Sequence, residues 1–397
     1  MFRSFQYRLR PTRKQEAVLD GWLHLTRELY NAALQERRDA WRKQRVSVTR
    51  VDQEKQLAEI RQIRPEFQQV PIVVLRGTLR RLDRGFQAFF RRCKAGEKPG
   101  FPRFKGGSWW KSILLDDLGR DADGPKNSVL AGKRRVAVPL LGTVKLSQHR
   151  PLEGTPKAMR LTRDGRGRWF VTLACTDVPV RPLPVSNAAV GVDLGLLHLA
   201  TTSDGVVYEN PRPLAQACIE LERAQRVATR RKRGGGRRKL AVRKLRRCHE
   251  RVANVRREHQ IAVAGDLVAR YGTIVVEDLR IKQMVHGNLA RSIHDAAWAG
   301  LLHWLHVKAE SAGRALVEVN PAYTSRTCSS CGAVKEKLGL GERVFHCSAC
   351  GLAIDRDVNA ALNIKRLGQS PQGAAMPVRV RRRSAKHESA RTAPATK

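Results

Sequence analysis

Apolar and polar residues alternate weakly over residues 2–10 and the run stops at Pro11, which predicts a short strand. The period then lengthens. Val18, Leu19, Trp22, Leu25, Leu29 and Ala33 recur at helical spacing and predict an amphipathic helix over residues 15–43. Leu75, Leu79, Leu82, Phe86, Phe89 and Phe90 outline a second such face, and the Gly, Pro and Lys of residues 95–107 predict a loop. Residues 15–107 therefore read as a small helical bundle whose polar faces are rich in arginine. From there the period becomes two: Val136-Ala137-Val138 and residues 143–146, 157–162 and 169–175 read as strands, with Asp164-Gly165 turning between the last two. The first strand should pair with this antiparallel set, because alone its backbone groups would stay unsatisfied. The helical bundle is then an insertion into a β-barrel-like domain, and Pro179, Pro182 and Pro184 mark the linker that follows.

Past the linker, Ala189–Asp193 is almost wholly apolar, residues 197–202 and 206–208 flank a Ser203-Asp204-Gly205 turn, and a long basic helical stretch follows. Residues 273–276 read as a buried strand, Trp298, Leu301, Leu302 and Leu305 mark a helix, and Ala315–Val319 reads as another strand. Strands leading into a hairpin and then into helices describe a mixed α/β sheet of the ribonuclease H type. Residues beyond 369 carry Arg379, Arg381, Arg382, Arg383 and Lys386 without apolar periodicity, so a disordered basic tail is expected.

Composition narrows the partners. With 397 residues and 42% hydrophobic content the chain can build several cores, yet 76 Lys+Arg against 36 Asp+Glu leave a net charge of +40. Self-repulsion on this scale is best relieved by a polyanion, so nucleic acid is the expected partner. No apolar run reaches the roughly 18 residues of a membrane span. Residues 1–8 lack the apolar core of a signal peptide, so a reducing cytoplasm is expected. There, paired CxxC motifs point to a metal rather than to disulfides.

Cys328-x-x-Cys331 and Cys347-x-x-Cys350 are separated by fifteen residues, and a glycine follows each pair. In a zinc knuckle the amides after the first cysteine turn towards its sulfur, and glycine permits the bend. Four thiolates in tetrahedral array make a closed, structural Zn²⁺ site. The bland alternative is four unrelated thiols; Cys93, Cys175, Cys218 and Cys248, being scattered, take that reading. Lys335, Lys337 and Arg343 suit a ribbon that faces nucleic acid, and His346 reads as a surface residue.

Three acids stand where chemistry needs them. Asp193 ends a buried strand, Glu277 ends another, and Asp357 lies in the first turn of a helix. A carboxylate in such places is costly unless a cation neutralises it. Three converging carboxylates can hold two Mg²⁺ ions about 4 Å apart, one activating water and one stabilising the leaving 3′ oxygen of a phosphodiester. Asp355 or Asp357 could instead cap the last helix; capping is assigned to Asp355 and chemistry to Asp357. Asp278 should point away, and Gly195 should leave room for a phosphate backbone. Sixteen Lys/Arg and one acid, Glu250, occupy residues 223–257, broken by Gly234-Gly235-Gly236 into two helices. That density favours phosphate contact over a merely solvated face.

These residues resemble TnpB, a family of transposon-encoded RNA-guided DNA nucleases related to type V CRISPR effectors. The resemblance runs from Tyr7-Arg8-Leu9-Arg10-Pro11, Gln15 and Tyr30-Asn31 through Gly100-Phe101-Pro102-Arg103-Phe104-Lys105, Gly191-Val192-Asp193-Leu194-Gly195 and Val276-Glu277-Asp278-Leu279. It continues with Pro321-Ala322-Tyr323-Thr324-Ser325, the cysteine pairs, and Asp355-Arg356-Asp357-Val358-Asn359-Ala360-Ala361-Leu362-Asn363-Ile364. It implies a multidomain α/β protein with an RNase H-like (RuvC) nuclease domain carrying an inserted zinc ribbon, and a wedge domain carrying an inserted helical lobe. The implied boundaries are 1–12 and 108–184 for the wedge, 13–107 for the recognition lobe, 185–322 and 354–370 for RuvC, 323–353 for the ribbon and 371–397 for the tail. It further implies a guide RNA from the transposon end, one per protein monomer, and double-stranded target DNA next to a short adjacent motif. The catalytic acids fall on Asp193, Glu277 and Asp357. Expected nucleic-acid contacts are Arg76, Arg103, Lys105, Arg230, Arg231, Arg237 and Arg238. Arg76 stands where a glutamine is expected to read the adjacent motif, and arginine favours guanine where glutamine favours adenine. Two other readings are an RNase H-fold transposase, whose acids usually run Asp, Asp, Glu, and a nuclease-weak RNA-guided repressor, against which the intact acid set argues.

Overall fold

The computed structural model describes residues 1–116, 118, 134–284, 286–287, 289–339 and 341–370; the expected basic tail lies outside them. Two compact units emerge, Met1–Pro179 and Val180–Lys397, divided at the linker prolines.

In the first unit, β1 (Arg3–Arg10) is followed by α1 (Arg13–Asp39), α2 (Arg50–Lys55), α3 (Leu57–Ile63) and α4 (Ile72–Lys94) before β2 (Ser112–Leu115). Then come β3 (Arg135–Val138), β4 (Gly142–Ser147), β5 (Thr155–Arg163) and β6 (Trp169–Thr176). The six strands pair antiparallel in the order β2-β5-β6-β1-β4-β3. As its unpaired backbone required, β1 lies inside the sheet, burying Phe5, Tyr7 and Leu9 on one face and exposing Arg8 and Arg10 on the other. Helices and sheet share one core: the Trp22 indole donates to the Gln69 carbonyl (2.8 Å), and the Trp110 indole donates to Thr26 Oγ1 (2.9 Å).

Two expected core positions differ. Val18 is 40% and Phe90 56% exposed. The buried stripe of α1 holds Leu19, Trp22, Thr26, Leu29, Tyr30, Ala33, Leu34 and Arg37, which leaves Val18 about 85° off its axis. Phe90 instead joins Phe86, Phe89 and Phe101 in an aromatic cluster tied to the following loop, with neighbouring ring centroids 5.3–6.3 Å apart.

The second unit opens with β7 (Ala189–Asp193), β8 (His198–Thr202) and β9 (Val207–Glu209), an antiparallel meander. The short α5 (Pro213–Gln216) leads into the basic helices α6 (Cys218–Arg230) and α7 (Gly236–Arg270), broken at the glycines as expected. After β10 (Thr273–Glu277) come α8 (Ile281–Met284), α9 (Ala290–Ala296), α10 (Trp298–Ala312) and β11 (Ala315–Val319). β10 joins β7 and β11 in parallel, giving the order β11-β10-β7-β8-β9. A small hairpin, β12 (Val344–His346) and β13 (Ala353–Asp355), precedes the last described helix, α11 (Arg356–Gln369). The basic hairpin is tethered by buried Asp295, which accepts N–H bonds from Leu214 and Ala215 and pairs with Arg256 at 2.9 Å.

One contact decides where the last helix sits. A Cβ on Gly191 would lie 2.0 Å from the Ala361 carbonyl oxygen and 2.5 Å from the Lys365 nitrogen. Only glycine lets the backbone of α11 rest directly on the central strand β7, and that contact carries the start of α11 towards the end of β7. Among the described residues no helix is long and apolar enough to cross a membrane.

Candidate functional site

The four cysteines form a compact cluster whose sulfurs all lie within 4.8 Å of one another. Cys328 Sγ is 3.6 Å from Cys350 Sγ, and Cys331 Sγ is 3.6 Å from Cys347 Sγ. Those separations are far beyond a disulfide bond. They match the edge of a tetrahedron built on metal–sulfur bonds of about 2.3 Å, which is about 3.8 Å. The two halves are near copies. Cys328 and Cys347 accept from the amides of Gly332 and Gly351 through their carbonyls, and donate through their own amides to Ala333 and Leu352. Gly332 (φ 81°) and Gly351 (φ 73°) both adopt the left-handed turn that the knuckle needs. Burial pushes the Cys328 thiol up, but the amides of Cys331 and Ser330 and the thiols of Cys331 and Cys350 outweigh it and lower it to about 6. A donor set of four thiols at this spacing fits zinc, and Phe345 with its apolar neighbours supplies the small core around it. His346 is exposed on the hairpin, outside the sulfur cluster. Lys335 is paired with Glu342 at 2.7 Å, inside the same loop.

The three acids come from neighbouring element ends. Asp193 closes β7, Glu277 closes β10 beside it, and Asp357 sits in the first turn of α11. Burial first, then the charges of Glu277 and Asp357, push the Asp193 carboxyl up to about 8, with Arg356 acting against them. Glu277 is 7% exposed; burial raises its pKa and a hydrogen bond from Thr324 lowers it. Among the described residues the cysteines are the only group of three or more His, Cys, Asp or Glu whose ligand atoms all lie within 4.8 Å, so the carboxylates are spread more widely than the sulfurs. Hard carboxylate oxygens that repel one another fit Mg²⁺ as a neutralising cation. Asp355 caps α11, accepting from the amides of Asp357 (2.9 Å) and Val358 (3.0 Å), which leaves the Asp357 side chain free of capping duty. Asp278 is exposed, as expected. Gly195 differs: a Cβ there would meet the His198 carbonyl oxygen at 2.8 Å, so its smallness serves an internal contact.

Sequence reasoning missed what lies between the two clusters. Thr324 Oγ1 donates to Glu277 Oε1 at 2.6 Å. Asn363 Nδ2 donates to the carbonyls of Thr324 (2.9 Å) and Thr327 (2.7 Å). Asn359 Nδ2 donates to Thr327 O (2.8 Å), and Asn359 Oδ1 accepts from the Ser329 amide (2.9 Å). Thr324, Asn359 and Asn363 are 3%, 0% and 2% exposed. The available signal was a pair of asparagines one turn apart beside Ala360, Ala361 and Ile364, an apolar face where an amide must find partners.

The expected nucleic-acid contacts divide. Arg76, Arg103, Arg230, Arg231 and Arg237 are exposed. Lys105 is half-buried, its backbone paired with the Asn31 side chain and its ammonium 5.9 Å from the Tyr30 ring centroid. Arg238 donates to the Ala228 carbonyl at 3.2 Å and so ties α7 to α6. A groove of about 470 Å³ beside α7 is lined by Arg243, Lys244, Arg247 and Arg251, together with Glu220. In the first unit a concavity of about 650 Å³ on the sheet gathers Arg8, Arg10 and Arg134 beside Phe170.

Three sequence families match the chain: a Cas12f1-like TNB domain over residues 298–364, an OrfB/IS605 family described as "Probable transposase" over 173–287, and a helix-turn-helix domain over 1–45. The last segment here forms a strand and one 27-residue helix. A Streptomyces pristinaespiralis protein named as a candidate RNA-guided DNA endonuclease is 34% identical, over 97% of this chain and 94% of its own length. Escherichia coli (strain K12) InsQ, named in the same way, is 26% identical over 92% of each chain. Cas12f1, solved in complex with sgRNA and target DNA, superposes with a TM-score of 0.56 at 16% identity, covering 89% of this chain and 83% of that one, which establishes a shared fold.

Proposed function

This chain belongs to the TnpB family, a nuclease family, and from that premise we propose that it is an RNA-guided endonuclease. It hydrolyses double-stranded DNA beside a short adjacent motif, using an RNase H-like (RuvC) centre made of Asp193, Glu277 and Asp357. The observation that supports this reading most is topological: Asp193 and Glu277 end the paired strands β7 and β10, and α11, whose first turn carries Asp357, rests on β7 at Gly191, although 164 positions separate Asp193 from Asp357. The order β11-β10-β7-β8-β9, an antiparallel meander extended by two parallel strands, agrees with the RNase H-like assignment.

In this reading residues 1–12 and 108–184 form the wedge and 13–107 the recognition lobe. Residues 185–322 and 354–370 form the nuclease domain, and 323–353 the ribbon. Asp193 and Glu277 would hold Mg²⁺ from the sheet and Asp357 from the helix start. When bound, a pair of Mg²⁺ ions would supply water activation and stabilisation of the leaving 3′ oxygen. The protein's own part is to place the carboxylates, to bind phosphates with Arg243, Lys244, Arg247 and Arg251, and to read the adjacent motif through exposed Arg76. Sequence discrimination is delegated to the guide RNA by base pairing. Zinc in the cysteine cluster is structural, its four ligands leaving no open position.

The test is to sequence RNA that copurifies with the protein and then exchange its guide segment. A constant scaffold should be followed by a variable guide, and changing the guide should move the cut to the newly matched site. Full activity in RNA-free preparations, or cuts that ignore the guide, would overturn the proposal.

A further inference from the structure

We propose that Thr324 is a positioning residue for Glu277, and that the cysteine knuckle controls the Mg²⁺ affinity of the carboxylate centre through Thr324 and the buried asparagines of α11. The proposal rests on the reading of Asp193, Glu277 and Asp357 as the cation-binding acids.

The geometry has three linked parts. First, the Thr324 hydroxyl has a single hydrogen and two acceptors in reach, Glu277 Oε1 at 2.6 Å and the Pro321 carbonyl at 3.1 Å. The shorter bond goes to the carboxylate, and both side chains are buried. Oε1 is thereby held in one orientation, and the other carboxylate oxygen is left for a cation.

Second, Thr324 follows directly on a residue of strained backbone. Tyr323 adopts φ 64°, a left-handed conformation unfavourable for an aromatic residue. Its carbonyl accepts from the amides of Arg326 (3.0 Å) and Thr327 (2.9 Å) and from Thr327 Oγ1 (2.9 Å). These donors lie immediately before Cys328, so the turn and the first knuckle form together.

Third, the asparagines tie both to α11. Asn359 reads the knuckle at Ser329, the residue after Cys328, and Asn363 reads the turn at Thr324. Both share the Thr327 carbonyl. A leucine at either position would suit the apolar face yet leave these backbone groups without partners. Asp357 rides on the first turn of the same helix. The knuckle therefore bears on two of the three acids, on Glu277 through Thr324 and on Asp357 through α11.

The experiment uses the full chain with its copurified RNA and compares Thr324→Val, which keeps shape and loses the hydroxyl, with Thr324→Ser, which keeps the hydroxyl. Mg²⁺ affinity is read by calorimetry in the absence of DNA, zinc by elemental analysis, and cleavage separately. Thr324→Val should retain one zinc and target binding, weaken Mg²⁺ binding by about tenfold and slow cleavage by a similar factor. Thr324→Ser should stay within about threefold of the parent. Stripping zinc with a zinc-selective chelator should weaken Mg²⁺ binding in the parent, and by a smaller factor in Thr324→Val, where only the route through α11 to Asp357 is left. Parental Mg²⁺ affinity in Thr324→Val, equal damage in Thr324→Ser, or fully additive effects of zinc loss would each overturn the relay. Should the valine variant not fold, Thr324→Ala against Thr324→Ser carries the same one-hydroxyl comparison. Glu277→Gln is the control for the underlying reading: if it too leaves Mg²⁺ affinity unchanged, the carboxylate assignment fails rather than Thr324's role alone.

Discussion

The second unit holds two charge-dense clusters that were assembled in opposite ways. The four cysteines come from one 23-residue segment and are brought together by two matching turns, each ended by a left-handed glycine. The three acids come from β7, β10 and α11, and only the strand order of the sheet and the contact at Gly191 bring them near one another. A local cluster can form wherever its segment folds. A distributed cluster exists only while the whole domain does, so its geometry can be tuned from a distance, here by Thr324, Asn359 and Asn363.

The sharpest way to break the comparison is to delete the acids one at a time. Asp193→Ala, Glu277→Ala and Asp357→Ala should each lower cutting by about a thousandfold or more, as members of a catalytic unit do. Guide-dependent target binding should persist, read by gel shift beside cleavage; a variant that still cuts at the parental rate removes its residue from the centre.

Next in size is the local cluster. Cys328→Ser or Cys347→Ser should lose the bound zinc, measured by elemental analysis, together with nuclease function, because a site of this kind supplies folding energy to its own segment. A zinc-free protein of full activity would count against the ribbon.

A smaller effect is expected at the contact that joins α11 to the sheet. Gly191→Ala places a methyl group against backbone atoms of Ala361 and Lys365, which have little freedom to yield. The expected loss is about 1–3 kcal/mol of stability, read by denaturant titration, and cleavage should fall more than zinc content does. Equal stability would mean that the helix can shift without cost.

The mildest test is pH. Asp193 carries a pKa raised to about 8 by burial and by its acidic neighbours. The folded, metal-free protein therefore holds a proton that the unfolded chain releases near pH 4, and its stability falls as pH climbs from there towards about 8. Mg²⁺ must displace that proton, so its affinity should rise with pH and level off above about 8, with proton release detectable by calorimetry in two buffers. An affinity independent of pH between about 6 and 9 would place the Asp193 proton elsewhere.

Much of this was legible in the chain because the signals were local. The CxxC spacing identified its ligands at once, and Ala189–Asp193 and Ala315–Val319 appear as strands at the expected residues. The β2 strand escaped notice because Ser112-Ile113-Leu114-Leu115 is short and does not alternate. Val18 and Phe90 were placed inward because periodicity locates a stripe without its width. Nothing in the spacing reveals that Glu342 folds back on Lys335. The acids could be nominated by position, but their convergence depends on strand order, which no motif encodes. Thr324, Asn359 and Asn363 were hidden for the same reason: their partners lie 30 to 47 positions away.

The account turns on whether the three acids share cations, and manganese soaked into crystals of the full chain tests that most directly. Two anomalous peaks are predicted, coordinated jointly by Asp193, Glu277 and Asp357, while zinc occupies the four sulfurs. Manganese bound at one of these acids alone, or at none of them, would contradict the shared centre.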